Sequence, residues 1–329
     1  MTLLRPVRTA VIAALAAFSG AGASAVEYGF AGVPVSLGKT ADYDTIFGAL
    51  ADSGADFFFP TFLFQQAPQP RSLGREKDFA PPCKPTDRAF EALRRSGLGL
   101  IVPASLLYDP RRPLPPVGRD PLRALMACAG PGTVRGVFSY DEPVHAGVSE
   151  DAARLLYARV KEVAPDLPVM MVHAPMTTDT SAEAHQRYMA AVRSISRHAD
   201  VVGFDVYPVP GVIAKIVRPG SGTTVLEGQE AVRAYGRLIR QLAPDKRHLA
   251  VLQNFAYVDQ FDPGVLGRFP RRLVEAARGP TLGELRGMAR AAEEEGAEII
   301  FWFGGAYTPD AGAAHWKRSL EVTRERADR

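Results

Sequence analysis

The chain has 329 residues, is 47% hydrophobic and carries a formal charge of +3 at pH 7. That apolar content supports a large buried core, which excludes a disordered chain. Arg5 and Arg8 supply two of the charges, so the remainder of the sequence is close to neutral and a nucleic-acid partner gains no support.

The two arginines precede an alanine-rich apolar run, Ala10 to Phe18, and a tract of small residues from Gly20 to Ala25. This three-part layout is that of a secretory signal peptide, with cleavage expected after Ala25. The run is too short for a membrane span, which needs roughly 20 apolar residues. No cysteine follows it that would carry a lipid. The expected organisation is therefore a leader at 1–25 and a single domain at 26–329. The mature protein is expected to be secreted or periplasmic, without a membrane association.

In chain order, short apolar strands alternate with amphipathic helices. The expected strands are Glu27–Gly32, Asp56–Pro60, Leu98–Ala104, Val134–Tyr140, Val169–His173, Val201–Val206, Leu249–Asn254 and Glu298–Phe303. Most lack period-two alternation, as strands buried on both faces do. The helices between them are expected near 43–52, 86–96, 121–129, 150–163, 182–197, 228–242 and 282–295, with a last one at 311–326. Eight strand–helix units in one chain of this size predict an α/β fold, a single (β/α)8 TIM barrel. No glycine-rich phosphate loop follows the first strand, which argues against a doubly wound sheet. Long, proline-rich loops at 62–85, 106–120, 208–226 and 256–281 all follow strand C-termini, where they would build a substrate cleft. On this layout Cys83 and Cys128 fall near opposite ends of the barrel, which argues against a disulfide although export would permit one.

The most informative segment is Gly136-Val-Phe-Ser-Tyr-Asp-Glu-Pro143. Strand-forming residues carry Asp141 and Glu142 to the C-terminal tip of the fourth strand, and Pro143 stops the strand there. In a parallel barrel that tip opens into the active-site mouth. Paired carboxylates there suit glycosidic bond cleavage, in which one group donates a proton and another steadies positive charge. The alternative, a helix cap, is weaker because the next helix has its own capping signal at Ser149. Later strand ends add His173, Asp205 with Tyr207, Gln253 with Asn254, and Trp302 before Gly304-Gly305. Acids, amides and rings in one pocket are what a sugar needs, since its hydroxyls take hydrogen bonds and its C–H faces stack on rings. Each also has a structural reading: a backbone partner for His173, Gln253 and Asn254, a loop cap for Asp205, a packed ring for Tyr207 and a core position for Trp302.

The Asp141-Glu142-Pro143 strand end resembles the Asn-Glu-Pro signature of clan A barrel glycosidases, whose acid/base Glu lies on strand four. In that clan a second Glu, the nucleophile, ends strand seven. Here Gln253-Asn254 stands in its place, and an amide cannot form the glycosyl-enzyme ester. The adjacent Asp-Glu pair is similar instead to that of barrel β-N-acetylhexosaminidases, in which the substrate's own acetamido oxygen attacks the anomeric carbon. That resemblance implies Glu142 as general acid/base and Asp141 as the residue that orients the acetamido group. It also implies Tyr207 as the tyrosine on the acetamido oxygen and Trp302 as a pocket wall.

The sequence thus leads to an exported glycoside hydrolase acting on a glycan, with carbohydrate as its partner, no cofactor and no metal. A retaining, substrate-assisted β-N-acetylhexosaminidase is the finer expectation. In a second version Glu142 stays the acid/base and Asp205 or a loop acid serves as nucleophile or base, while Asp259 and Asp262, in the loop after strand seven, are expected to be solvated. Two other classes stay open. A metal-dependent sugar isomerase or aldolase would use Asp141, Glu142, His173 and Asp205 as ligands. A non-catalytic glycan-binding barrel would keep the cleft without a nucleophile.

Overall fold

The computed structural model describes residues 25–60, 76–109, 112–177, 181–220, 223–260 and 270–329. The expected leader up to Ser24, Asp262 and parts of the long loops lie outside these residues. Eight strands close a barrel in chain order: β1 Glu27–Ala31, β2 Phe57–Phe59, β3 Gly99–Pro103, β4 Val134–Asp141, β5 Val169–His173, β6 Val201–Val206, β7 Arg247–Gln253 and β8 Ile299–Phe303. Every neighbouring pair is parallel, including β1 with β8. The helices that wrap it include α1 Tyr43–Ala51, α2 Arg88–Ser96, α3 Pro121–Ala129, α4 Glu150–Val163, α5 Ala182–Ile195, α6 Gly228–Leu242, α7 Leu282–Glu294 and α8 Ala314–Ala327. The expected α/β barrel is the observed fold.

Local signals account for where the helices begin. Ser149 accepts the Ala152 N–H at 3.1 Å and starts α4. Ser181 does the same for α5, and Thr281 with Glu284 forms a capping box at α7. Each cap satisfies an N–H that has no partner within its own helix. Because those caps start the helices beyond the strand tips, residues at the tips are left to the loops and the cleft.

The core has two layers, separated by the pleat of the strands. Inward residues such as Phe57, Ile101, Met170, Val201, Leu249 and Phe301 fill the barrel. Outward residues such as Phe30, Phe58, Val102, Phe204, Ile300 and Trp302 pack under the helices. Burying a ring such as Phe30 or Phe58 stabilises the fold by about 2–3 kcal/mol. Gly203, at an inward position of β6, has no room for a side chain: a Cβ there would lie 1.9 Å from the Leu249 carbonyl oxygen. That close approach fixes β6 against β7, the two strands whose tips carry Asp205 and Gln253.

The cysteines correct one expectation. Cys83 and Cys128 form a disulfide, with Cα atoms 6.0 Å apart. The described residues just before α2 are thereby joined to the C-terminal end of α3. Arg94 of α2 ties the two together, donating to the Pro85, Cys128 and Ala129 carbonyls.

Candidate active site

A register shift in β4 directs the acids. Phe138 pairs with Met170 of β5 and Tyr140 with the next residue, Met171, so Ser139 is an extra residue on β4. Its hydroxyl donates to the Met170 carbonyl at 2.9 Å, which anchors the bulge in the buried sheet. Phe138 faces the barrel interior, so simple alternation would point residue 141 outward. The inserted residue reverses that parity. Asp141 comes opposite Val172, an interior position.

Glu142 follows at once and would ordinarily face the opposite way. It adopts φ 43°, the left-handed region that a side-chain-bearing residue rarely enters, and does so just before a proline. Its N–H donates to Val172 O at 2.8 Å and its carbonyl accepts from Ala146 N–H at 2.9 Å, which hold the conformation. A backbone of this kind costs on the order of 1–3 kcal/mol and persists only where its surroundings impose it. The bulge and the left-handed turn together bring two consecutive carboxylates to one side of the strand.

Asp205 joins them from β6. Val201, Gly203, Asp205 and Tyr207 occupy alternate positions on the inward side, whereas Val202, Phe204 and Val206 pack outward. Asp205 is buried, and its carboxyl hydrogen-bonds that of Glu142. Loss of solvent, and then the charge on Glu142, push the Asp141 carboxyl up to about 7. Burial, followed by the charges on Glu142 and Asp141, holds Asp205 well above the ordinary carboxylate range. Desolvation is the first cause of the rise at both Asp141 and Asp205.

Aromatic rings close the site. Tyr207 stacks on Phe303 with centroids 5.2 Å apart and 19° between planes, and meets Phe255 edge-on at 5.2 Å. Tyr307 packs against Phe303 at 5.7 Å, and Tyr257 donates its hydroxyl to the Tyr207 carbonyl at 2.8 Å. Burial, with the nearby acids second, raises the Tyr207 and Tyr307 hydroxyls above their ordinary range, so both remain neutral donors. On the other flank Tyr188 of α5 contacts the His145 ring at 5.1 Å and feels both Asp205 and Glu142.

Three expected pocket residues are placed elsewhere. His173 lies on the outer side of β5, where its Nε2 contacts Ser196 Oγ at 2.9 Å and its ring meets the outward Phe204. Burial lowers its pKa to about 3, so it stays neutral. The four-membered ligand set of the isomerase reading is therefore not assembled. Among the described residues, no group of three or more His, Cys, Asp or Glu is placed to hold a metal ion.

Trp302 is likewise outward and fully buried, with its indole N–H on Thr323 Oγ1 at 2.9 Å. Its neighbour Phe303 holds the inward position. The glycines after it make room for protein, since a Cβ on Gly304 would meet the Phe255 ring at 2.5 Å.

Gln253 faces neither substrate nor solvent. Its Oε1 accepts from Val209 N–H at 2.9 Å, and its Nε2 donates to the Val209 and Phe255 carbonyls at 2.7 and 3.0 Å. It clamps the loop after β6 to the tip of β7. Asn254 is fully buried beside it, and its side-chain amide has no partner among the described residues. Asp259, outside the acid cluster, lies 3.5 Å from His315.

Sequence reasoning passed over Phe303, Tyr307, Phe255 and Tyr188. The first two carried a readable signal. Ile299, Phe301 and Phe303 share one parity in β8, and Tyr307 follows at the strand tip. Tyr188 lies on α5 and had no such marker. A cavity of about 510 Å³, lined by residues including Glu27, Phe57, Arg135 and Arg247, opens at the other end of the barrel, remote from the acids.

This geometry has relatives among solved structures. A putative α-L-fucosidase from Bacteroides thetaiotaomicron superposes with a TM-score of 0.53 at 12% identity, covering 100% of this chain and 99% of that one. The β-galactosidase of Halorubrum lacusprofundi gives 0.54 at 13% identity, over 92% of this chain and 58% of its own. That of Marinomonas ef1 gives 0.53 at 11%, over 91% and 59%. The likeness is one of fold: these proteins share the (β/α)8 barrel. No protein-family model and no curated protein matches the sequence.

Proposed function

We propose that this barrel is an exported glycoside hydrolase that cleaves glycosidic bonds in a glycan through Glu142 and Asp141. The observation that carries the reading is the convergence of Asp141, Glu142 and Asp205 at the barrel mouth, brought about by an inserted residue and a strained one. Strain kept at a strand tip is hard to account for by packing alone. The glycosidase-type fold and the ring of neutral tyrosines support the same conclusion. The unpartnered Asn254 amide supports it too, since a buried amide without partners is costly unless a polar ligand or water meets it. Export is supported by the leader-like N-terminus and by the disulfide, a bond of oxidising compartments.

The finer reading is substrate-assisted cleavage of a 2-acetamido sugar. The clamped Gln253 supports it, because the strand-seven position that would supply a nucleophile is occupied by a structural amide. In this reading the acetamido N–H binds Asp141 and favours its ionised form, and Glu142 carries the proton. Glu142 protonates the leaving oxygen while the acetamido oxygen attacks the anomeric carbon. Ionised Asp141 steadies the oxazolinium charge. Water then opens the ring, giving up its proton to Glu142, and the product retains its anomeric configuration. Tyr207 or Tyr307 supplies the hydroxyl donor to the acetamido oxygen.

Successive fluorination of the N-acetyl methyl of an aryl 2-acetamido-glycoside tests this. Each fluorine weakens the carbonyl oxygen as a nucleophile, so kcat/KM should fall steeply along the series. A flat series would exclude participation by the acetamido group.

A further inference from the structure

Asp205 is buried with the Glu142 carboxyl beside it, and two negative charges so close in a desolvated site repel strongly. At least one proton is therefore expected on the pair. Asp205 is 4% exposed and its Oδ1 has no hydrogen-bond partner among the described residues, so a carboxylate there would leave a bare, desolvated oxygen. Glu142 is only partly buried and borders the cleft. The acids facing Asp205, Glu142 and Asp141 from β4, favour its neutral form as well. Tyr207 just after β6, Tyr188 on α5 and Tyr257 after β7 also face it, and these stay neutral.

We propose that Asp205 is a positioning residue that keeps its own proton throughout turnover and donates it to one oxygen of Glu142, leaving the other Glu142 oxygen to face the cleft. This rests on the reading of Glu142 as acid/base. In the first step the Glu142 proton passes to the glycosidic oxygen as the C1–O bond breaks and its electron pair goes to the leaving group. The acetamido oxygen bonds to C1 in the same step. Glu142 becomes a carboxylate, and the Asp205 O–H bond to it becomes charge-assisted and stronger. In the second step water adds to C1, the bond from C1 to the acetamido oxygen breaks, and Glu142 takes the water proton. Asp205 is neutral at every stage. It is thereby set apart from a nucleophile or base, the other role open to a third acid.

The test compares Asp205→Asn with Asp205→Ala. Asparagine keeps an N–H donor of similar shape that does not titrate. The expected result is a kcat within about tenfold of wild type for Asp205→Asn, and a loss of about a hundredfold or more for Asp205→Ala with KM little changed. The fall in activity at alkaline pH should also move to higher pH in Asp205→Asn. A thermal melt of each variant separates these effects from misfolding. If Asp205→Asn is as inactive as Asp205→Ala, or Asp205→Ala stays active, the proposal is overturned.

Infrared difference spectroscopy of wild type against Asp205→Asn gives a readout that needs no turnover. At neutral pH the difference spectrum should show one neutral carboxylic acid carbonyl stretch lost in the variant, over and above any that Glu142 and Asp141 contribute to both proteins. Absence of that difference band overturns the proposal even if glycosides are cleaved. Its presence when wild type turns over no glycoside confirms the proton on Asp205 and places the failure in the hydrolase reading.

Discussion

Asp141 stands opposite Val172 across the β4–β5 ladder, one step out of phase with the pairing of Phe138 and Met170. The phase change is the single residue Ser139. It turns a carboxylate that would face the helices into one that faces the barrel mouth.

Deletion of Ser139 should therefore restore ordinary alternation and send Asp141 into the helix layer. The expected outcome is a destabilised protein with no measurable activity. Ser139→Ala is the milder probe. Loss of its hydroxyl bond to Met170 O should cost about 1 kcal/mol in a urea melt and leave the register intact. A Ser139 deletion with wild-type turnover would show that the bulge does not aim the acid.

The backbone of Glu142 predicts a trade between stability and function. Glycine adopts φ 43° without steric penalty, and Glu142→Gly also removes one charge from a crowded acidic site. This variant should be inactive yet more stable than wild type, by on the order of 1 kcal/mol. Calorimetric melting of the two proteins reads the difference. A lower midpoint for the variant would mean that the conformation stores no strain.

Two acids with raised pKa values make stability fall as pH rises. An unfolded Asp titrates near ~3.9, whereas burial pushes folded Asp141 up to about 7 and holds Asp205 well above the ordinary carboxylate range. Their neutral forms thus contribute stability that is complete below pH ~4 and is lost on passing through pH 7. Asp141→Asn should match wild type near pH 4 and exceed it above pH 7, by on the order of 2 kcal/mol. Melts at the two pH values check this, and equal stabilities at pH 8 would contradict it.

Adjacent aromatic residues of β8 should give opposite phenotypes. Trp302→Phe removes an indole bond to Thr323 under α8, so it should lower stability by about 1–2 kcal/mol with little change in kcat/KM. Phe303→Ala opens the ring stack beneath Tyr207 and should lower kcat/KM by about tenfold or more. Steady-state kinetics and melts on both variants separate the layers.

Much of this fold was legible because it rests on local signals. The bounds of α3, α4 and α6, and of β5 and β6, follow from caps such as Asp120 and Ser149 and from runs of Val, Met and Phe bracketed by polar turns. Strand four and its acids were legible for the same reason. Side-chain direction was less so. His173 and Trp302 each end a strand and carry chemistry-bearing groups, yet both sit on the outward parity, which a run buried on both faces does not display. Ser139 as an inserted residue and the conformation of Glu142 leave no mark in the sequence, since both arise from how β4 meets β5. The pairing of Cys83 with Cys128 depends on the path of the chain between β2 and α2, and composition does not encode that path.

The most direct measurement is hydrolysis of an aryl-glycoside panel, with and without the 2-acetamido group, by wild type and by Glu142→Gln. The account predicts turnover of the acetamido sugars by wild type and a loss of at least about a hundredfold in the variant. Equal rates in the two proteins, or turnover confined to sugars lacking the acetamido group, would contradict it.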